Sequence, residues 1–463
     1  NRNISMKRAH KQPLYYAVSL IIMLTIVLLV GTFFYLQGVT NTSAHTVQNN
    51  FALRLARPVY WMAGQATMGM QLACQKPNAQ GRCYTPQQIQ NAYNITPLYK
   101  SRTTGVGHTI VLIDAFQSPT IRHDLALFDR IFRLKDPKLQ IFAPDGLVPF
   151  NPKDAAQVGW AGEITLDVEW AHAIAPGANI DLVLANPLKV QSNTFSGFLL
   201  NILRATQFAV KNNLGDVISQ SFGGNENCAT QEVLQVQHQV FAAATAKKIS
   251  LLASSGDMGA AQINCASSSF VKAVSTPASD PLVTAVGGTT LTANAANGAY
   301  MREAAWVGSG GGFSAIFARP NFQGQAQQTS NGRGLPDVAS VADPRTGVVV
   351  VWSSSGQGAN LAAVFGGTSV GAPQWAGITV LTNERMGARI GFLNSALYRL
   401  GANAQAKMAF HDIAQGNNNF AGKDANGATV DVKGFDAVKG WDPMTGLGTP
   451  NVAELARLLP RFA

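Results

Sequence analysis

A serine and a pair of acids far upstream of it have the types and spacing of a hydrolytic site. Ser369 lies in the segment GGTSVGAP, and Glu163 and Asp167 lie four residues apart in GEITLD. A serine hydroxyl is a poor nucleophile until a positioned base removes its proton, and a carboxylate with a suitably tuned pKa can be that base. The residue types therefore indicate a hydroxyl nucleophile served by a pair of carboxylates.

A single helix is expected to carry both acids. Residues four apart lie on the same face of a helix, and the chain around them is mostly apolar until Pro176 and Gly177. Taken alone, an acid pair is usually a solvated helix face and Gly-Thr-Ser a tight turn. Because this helix is largely apolar, its acids would enter the protein interior, where carboxylates are rare without a function.

Several segments in one order carry a family resemblance, from about Tyr84 to the end of the chain. They are YTP, GEITLD, ASSGD, GGGFS, LPDV, GTS and GWD. In this order they resemble the sedolisin family of serine-carboxyl peptidases. The resemblance implies Ser369 as nucleophile, Glu163 as its general base, Asp167 as the partner that orients Glu163 and shares its proton, and Asp257 at the oxyanion site.

Asp257 has a physical rationale in this role. A protonated carboxylic acid can donate a hydrogen bond to a developing oxyanion, whereas an ionised one would repel it. Without the resemblance, Ser-Gly-Asp would be interpreted as a turn. The expected activity is therefore hydrolysis of proteins or peptides at acidic pH by a serine-type endopeptidase that passes through an acyl-enzyme.

Two alternatives remain. A Ser-His-Asp site of the subtilisin type is suggested by residues 110–114, a buried strand that ends in Asp114. However, neither His123 nor His172 lies in the Gly-flanked setting of such a base, so Asp114 is interpreted as structural or as a wall of the cleft. The other alternative, from a different class, is a catalytically silent surface-binding protein on the same fold.

The predicted fold is α/β and subtilisin-like, a doubly wound, mostly parallel sheet with helices on both faces. Buried runs rich in Val and Ile separated by helices indicate such a sheet, and sites on it lie at the carboxyl ends of the strands. Strands are predicted at 108–114, 179–184, 216–221, 249–254, 282–286 and 347–352. Helices are predicted at 161–174, 193–211, 231–247 and 369–385, and residues 416–440 are predicted to be a long loop.

The N-terminal part is expected to attach the protein to a membrane. Residues 14–36 are uncharged and apolar, long enough to cross a bilayer, and the basic residues before them place 1–13 in the cytoplasm. We expect a signal anchor followed by a stalk or linker at 37–83, too short for a full-length propeptide, and a catalytic domain at 84–463 outside the cytoplasm. A cleaved signal peptide and a secreted product is the alternative.

The amino-acid composition and charge limit the classes of binding partner that are expected. The formal net charge is +10 and charged residues make up only 13% of the chain, which favours an exported protein. The positive charges beyond residue 11 are spread along the sequence without a Lys/Arg stripe, so nucleic acid is not an expected partner. The net positive charge could attract anionic phospholipid or cell-surface polymers, but solubility is the simpler explanation for that charge. The protein is expected to be a monomer.

The four cysteines fit an oxidising location. Cys74 with Cys83 and Cys228 with Cys265 is the simplest of three pairings. No Cys-x-x-Cys is present, so zinc and iron-sulfur binding are not expected.

The resemblance also implies one structural Ca²⁺ near the C-terminus. Its carboxylate ligands would be Asp412 and Asp442, with backbone carbonyls of Ile413, Val438 and Gly440 completing an oxygen-rich shell. Two aspartates in turns is the alternative interpretation of the same residues.

Overall fold

The computed structural model describes residues 59–76, 79, 81–190, 192, 194–267, 269–324, 330–424 and 427–463. The predicted cytoplasmic segment 1–13, the predicted membrane helix 14–36 and the stalk as far as residue 58 lie outside the described residues. In the described part of the chain, no helix has both the length and the apolar character needed to cross a bilayer. The anchor and the domain boundaries therefore stay predictions.

The α-helices mostly alternate with strands in the first half of the chain. They are α1 (Pro86–Ala92), α2 (Thr96–Lys100), α3 (Ile121–Phe132), α4 (Ala155–Ile174), α5 (Phe195–Lys211), α6 (Gln231–Ala246), α7 (Gly371–Met386), α8 (Leu393–Gly401), α9 (Ala406–Ala409) and α10 (Val452–Leu458).

The strands range from two-residue pairs to a ten-residue central strand. They are β1 (Val59–Gln65), β2 (Arg82–Tyr84), β3 (Thr109–Ala115), β4 (Leu139–Phe142), β5 (Asn179–Ala185), β6 (Val217–Gln220), β7 (Gly224–Asn225), β8 (Ser250–Ser254), β9 (Ala261–Ile263), β10 (Phe270–Lys272), β11 (Ser275–Thr276), β12 (Thr284–Ala293), β13 (Tyr300–Ala305), β14 (Gly312–Ala318), β15 (Gly332–Leu335), β16 (Val338–Val341), β17 (Thr346–Trp352), β18 (Leu361–Gly366), β19 (Phe410–His411), β20 (Phe420–Lys423), β21 (Thr429–Val432) and β22 (Thr449–Pro450).

The central sheet has the order β13-β12-β8-β6-β3-β5-β4, and β16 also pairs with β12. All of its neighbouring strands are parallel except β12 and β13. Apolar residues on its two faces form two separate cores, because a parallel sheet needs helices on both sides. The predicted α/β fold is confirmed.

A second sheet has the order β1-β18-β17-β2. β1 runs antiparallel to β18, with Val59 opposite Gly366. Residues 59–65, within the segment predicted to be a stalk, are therefore paired with the strand that leads to Ser369. The predicted strand 347–352 exists as β17, but it belongs to this second sheet, because a run of buried Val residues does not specify the partner strand.

Helix α4 is the central helix of the site. The side chain of Asp154 begins it by accepting hydrogen bonds from the amides of Ala156 and Gln157, which satisfies free amides at the helix start. It ends at Ile174, because the residue before Pro176 cannot stay helical. Every residue from Trp160 to Ile174 is buried, so the helix is enclosed by α3, α7 and both sheets.

The structure also bears on the predicted disulfide pairing and on the loop predicted at 416–440. The disulfides join Cys74 to Cys83 and Cys228 to Cys265, which confirms the simplest pairing. The predicted long loop at 416–440 is not wholly irregular, because β20 and β21 pair as a hairpin within it. Its many Asn, Gly and Asp residues obscured the short apolar positions that make this pair.

Candidate active site

The predicted site residues come together at the carboxyl ends of the central strands. Asp114 is the penultimate residue of strand β3, and Asp257 follows β8. Ser369 follows β18 in a short 3₁₀ turn, Thr368–Val370, that leads into α7. Glu163 projects from α4, which packs against this turn. The structure therefore collects one hydroxyl and several carboxyl groups at one edge of the sheet.

The turn that presents the nucleophile depends on Gly367. Its φ is +107°, and a Cβ atom at this position would lie 2.6 Å from Asp257 Oδ2. A side chain here would be strained and would also push the carboxyl group away. Gly367 therefore lets the main chain before Ser369 approach Asp257 closely. Ser369 itself is only 7% exposed.

Thr368 holds Asp257 in place. Its amide donates to Asp257 Oδ1 at 2.7 Å, and its hydroxyl lies 2.8 Å from the same oxygen. Burial raises the pKa of Asp257, while the hydrogen bonds from Thr368 oppose that rise. A half-buried carboxyl with a raised pKa keeps its proton to higher pH than an exposed aspartate.

Glu163 and Asp167 are fully buried. Burial raises the pKa of Glu163 well above its usual range, the Ser369 hydroxyl opposes this, and the charges of Asp114 and Asp257 add to it. Burial also raises the pKa of Asp167, and the charges of Asp114 and Glu163 raise it further. The pair therefore keeps a proton that exposed carboxylates would have lost.

Ser221 was not identified from the sequence, and Asp114 was given only a structural role or a place in the wall of the cleft. Asp114 is fully buried and burial raises its pKa to about 7, so it is a third member of the acid cluster and not merely a wall. The hydroxyl of Ser221 donates to Asp167 Oδ1 at 2.8 Å. The pairing of β3 with β6 brings these two residues side by side. Ile113 lies opposite Gln220, and the next residues along the two segments are Asp114 and Ser221.

The unpaired oxygens of the cluster indicate shared protons. Within the described residues, both oxygens of Asp114, both of Glu163 and Oδ2 of Asp167 are buried without a hydrogen-bond donor. Buried acceptors need partners, and a proton held between two carboxyl groups supplies one to each. The arrangement can therefore accept and return a proton beside the Ser369 hydroxyl.

Neither candidate histidine serves Ser369. His123 Nε2 is hydrogen-bonded to Asn360 at 2.7 Å. His172 lies on the side of α4 away from Glu163, with Nε2 at 3.2 Å from Asp129 Oδ1. Neither of these two histidines therefore forms a Ser-His-Asp arrangement with Ser369.

Besides Asp129, a second buried acid, Glu169, lies near His172 and faces away from the site. Glu169 Oε2 accepts a hydrogen bond from the amide of Val351 at 2.9 Å. Burial raises its pKa well above the usual range, the Val351 amide opposes this, and the charges of Asp124 and Asp129 raise it. Helix α4 thus buries ionisable groups on both of its faces.

The predicted calcium ligands converge on one loop. The amide of Gly440 donates to both oxygens of Asp412 at 3.1 Å, and that of Val438 to Asp442 Oδ2 at 3.3 Å. In the described residues, no three or more His, Cys, Asp and Glu side chains are grouped to hold a metal. Two carboxylates with backbone oxygens such as that of Ile413 fit Ca²⁺ without a third. Burial raises the pKa of Asp442 to about 6.

A seryl hydroxyl and buried carboxyl groups at the carboxyl edge of a parallel sheet define the serine-carboxyl class of hydrolase. Kumamolisin from Bacillus sp. (strain MN-32) is 32% identical over 420 residues, which cover 88% of this chain and 69% of that protein. Tripeptidyl-peptidase 1 of Rattus norvegicus is 28% identical over 410 residues, covering 81% of this chain and 64% of that protein. The chain belongs to the sedolisin family of serine-carboxyl peptidases.

A solved structure has the same fold. Pseudomonas sedolisin, a serine-carboxyl proteinase complexed with two molecules of pseudo-iodotyrostatin, has a TM-score of 0.67 and 27% identity. The match covers 81% of this chain and 98% of that one. No family model matches the chain.

Proposed function

We propose that this protein is an endopeptidase that cleaves proteins or peptides at acidic pH, with Ser369 as nucleophile and Glu163 as general base. The observation that supports it best is the burial of Glu163 and Asp167 on α4, the helix that packs against the turn carrying Ser369. Burying two carboxyl groups is costly. A catalytic role beside Ser369 would account for that cost.

In the proposed first step, Glu163 takes the Ser369 hydroxyl proton as Oγ bonds to the carbonyl carbon of the substrate. The peptide C–N bond then breaks, and the proton passes to the leaving amine. In the second step water gives a proton to Glu163, its oxygen attacks the ester, and Ser369 recovers its hydrogen. Asp167 shares one proton with Glu163, so the pair starts and ends the cycle with one proton and holds a second only between its transfer from Ser369 or water and its release.

Asp257 stabilises the oxyanion in this scheme. Oδ1 is occupied by Thr368, so Oδ2 carries the proton that is donated to the substrate oxygen. The raised pKa of Asp257 supports this role, because an ionised carboxylate would destabilise the oxyanion. The same requirement limits activity at higher pH.

Two other residues position the base. Asp114 raises the pKa of both Glu163 and Asp167, which favours proton sharing. Ser221 fixes one oxygen of Asp167, so that only Oδ2 is available to exchange a proton. The Ser221 hydroxyl also lies 3.4 Å from the backbone carbonyl of Ser369, so it connects the segment of the nucleophile to Asp167.

The proposal includes one structural Ca²⁺ held by Asp412 and Asp442 with carbonyls of Ile413, Val438 and Gly440. The ion would neutralise the buried Asp442 carboxyl and tie the loop at 438–440 to the segment that holds Asp412. It supplies stability and takes no part in the reaction.

Membrane attachment through residues 14–36, with the catalytic unit outside the cytoplasm, is also part of the proposal. It rests on the basic residues before an apolar run of sufficient length. Cell fractionation and protease accessibility test it. Recovery of a soluble product that begins after residue 36 would favour the secreted alternative.

The central experiment measures cleavage of a denatured protein from strongly acidic to neutral pH. Ser369→Ala and Glu163→Gln should each lower kcat by at least about 10³-fold, because the nucleophile and base act as a unit. Ser219→Ala is the matched control, since Ser219 is a buried serine of β6 without a hydrogen-bond partner among the described residues. It should keep wild-type turnover. Wild-type activity in Ser369→Ala would refute the function and favour a surface-binding protein.

A further inference from the structure

Basic residues that are scattered in the sequence lie together at the edge where the parallel strands begin. In the described part of the chain, nine exposed Lys and Arg residues besides Lys247 lie at helix ends or in loops on this edge: Lys100, Arg102, Arg130, Arg133, Lys135, Lys138, Lys211, Lys248 and Arg385. We call this edge the basal face. The fold concentrates here a charge that looked diffuse along the chain.

Contacts between distant segments show that these positions share one edge. The amides of Thr104 and Gly105, before β3, donate to Glu384 at the end of α7 at 2.7 and 2.5 Å. Arg389 Nε donates to Asp216, before β6, at 2.6 Å. Lys247 Nζ, before β8, donates to the last carbonyls of α5. The parallel pairing of β3, β5, β6 and β8 brings all of these segments to the same side.

The acids of the basal face are mostly engaged elsewhere. Asp216 is buried and is held by Arg389 and His108. Glu384 accepts hydrogen bonds from two backbone amides. Asp136 is exposed, but within the described residues none of the nine basic side chains forms an ion pair. The face therefore presents a net positive charge.

Three of the nine occupy backbone conformations that disfavour a side chain. Arg102, Arg133 and Lys248 have φ values of 64°, 58° and 57°, positions after helices where glycine is preferred. A side chain there costs free energy. Interaction with helix dipoles does not explain Lys135 and Lys138, since they lie beyond the last turn of α3 and the effect falls off within that turn.

An exposed apolar residue lies on the same face. Val106 is 61% exposed at the tip of the loop before β3, between Gly105 and Gly107. Arg102 and Lys100 precede it in the same connection. Basic residues are attracted to an anionic bilayer surface, and the exposed Val106 side chain beside them would then reach the interface of that bilayer.

We propose that the basal face docks on a bilayer containing anionic phospholipid. The bilayer would contact the amino ends of the central strands. The catalytic edge would lie about 20 Å further out, since β3 spans seven residues at roughly 3.3 Å each. Ser369 and Asp257 would then face away from the lipid, toward substrate.

The test uses the full chain reconstituted in vesicles of phosphatidylcholine, with or without phosphatidylglycerol. All four cysteines are in disulfides, so Val106→Cys gives a single labelling site for an environment-sensitive dye. Met301→Cys is the control, because Met301 is 63% exposed and lies in β13. The dye at 106 should shift to the blue and be quenched by brominated lipid only in anionic vesicles, and the dye at 301 should not respond.

Charge removal gives the second arm. Combined Arg133→Gln, Lys135→Gln and Lys138→Gln should lower the docking constant roughly 100-fold, because each basic residue near an anionic membrane contributes about fivefold. High salt should have the same effect. Cleavage of a soluble peptide should be unchanged, since these residues lie at the opposite edge from Ser369.

A matched triple variant removes the same charge elsewhere. Arg302→Gln, Arg399→Gln and Lys407→Gln alter exposed residues outside the basal face, and docking should persist. An equal response in neutral vesicles, no response at 106, or equal loss in both triple variants would overturn the proposal. A soluble polyanion that binds the basal face while the dye at 106 stays hydrated would replace lipid with a polymer as the partner, and also overturn it.

Discussion

Asp114→Asn should make the fold less sensitive to rising pH. The pKa of Asp114 is raised from 3.8 to about 7 by burial, so the folded protein binds this proton more tightly than the unfolded chain does. Stability is therefore present in acid and is lost as the pH rises toward the folded pKa. Linkage gives a loss of about 3 kcal/mol between roughly pH 4 and pH 7 from this carboxyl alone.

The asparagine variant should not show this loss. It also removes a charge that raises the pKa of Glu163 and Asp167. These two acids should then also contribute a smaller loss of stability as the pH rises. With an unfolding entropy of about 2.1 cal/mol/K per residue over roughly 400 residues, 3 kcal/mol corresponds to about 4 °C in Tm. The wild-type Tm should fall by about 4 °C more than that of the variant over this pH interval.

The assay is thermal unfolding followed by circular dichroism at several pH values and fixed ionic strength. Asp136→Asn changes an exposed carboxyl and should follow the wild-type profile. Parallel pH profiles for wild type and Asp114→Asn would refute the reasoning, because they would mean that Asp114 is already ionised in the folded state at acidic pH.

Three other predictions concern activity and the metal. Asp257→Asn should lower the maximal rate but extend residual activity toward neutral pH, since the amide keeps a donor that cannot ionise; an unchanged alkaline limb would remove Asp257 from the oxyanion role. Ser221→Ala should lower kcat roughly tenfold with little change in KM, the cost of losing a hydrogen bond to an acid, and an equal rise in KM with constant kcat would contradict a positioning role. Excess chelator should lower Tm by about 3 °C, if free Ca²⁺ had been about 100-fold above its Kd. Asp442→Ala should lower Tm similarly and abolish the response to chelator, whereas a chelator effect that persists in this variant would place the ion elsewhere.

The elements that carry the chemistry were predictable where local patterns suffice. The apolar residues around Glu163 indicated helix α4, although the predicted start at 161 missed its first six residues, because the segment AAQVG at 155–159 carries little periodic signal. Ser369 and Asp257 were indicated by glycine-rich turns after apolar runs. The structure brings them together as the motifs imply, while their catalytic roles remain to be measured.

Other features depend on contacts between distant parts of the chain. Asp114 at the end of a strand is locally indistinguishable from a structural acid, and only the register with β6 places it near Asp167. The partner of β17 could not be deduced from its Val run. Charges at 133–138, 211 and 248 seemed unrelated until the parallel sheet placed them at one edge.

Strand β1 has a consequence for any shortened version of this protein. A chain that began at Tyr84 would lack the strand paired with β18, and it would also lose the Cys74–Cys83 disulfide. The backbone amides and carbonyls of β18 would then form an open sheet edge, a known template for aggregation, one residue before Gly367. A shortened chain that keeps β18, the strand before the nucleophile turn, in the interior of its sheet therefore has to include β1.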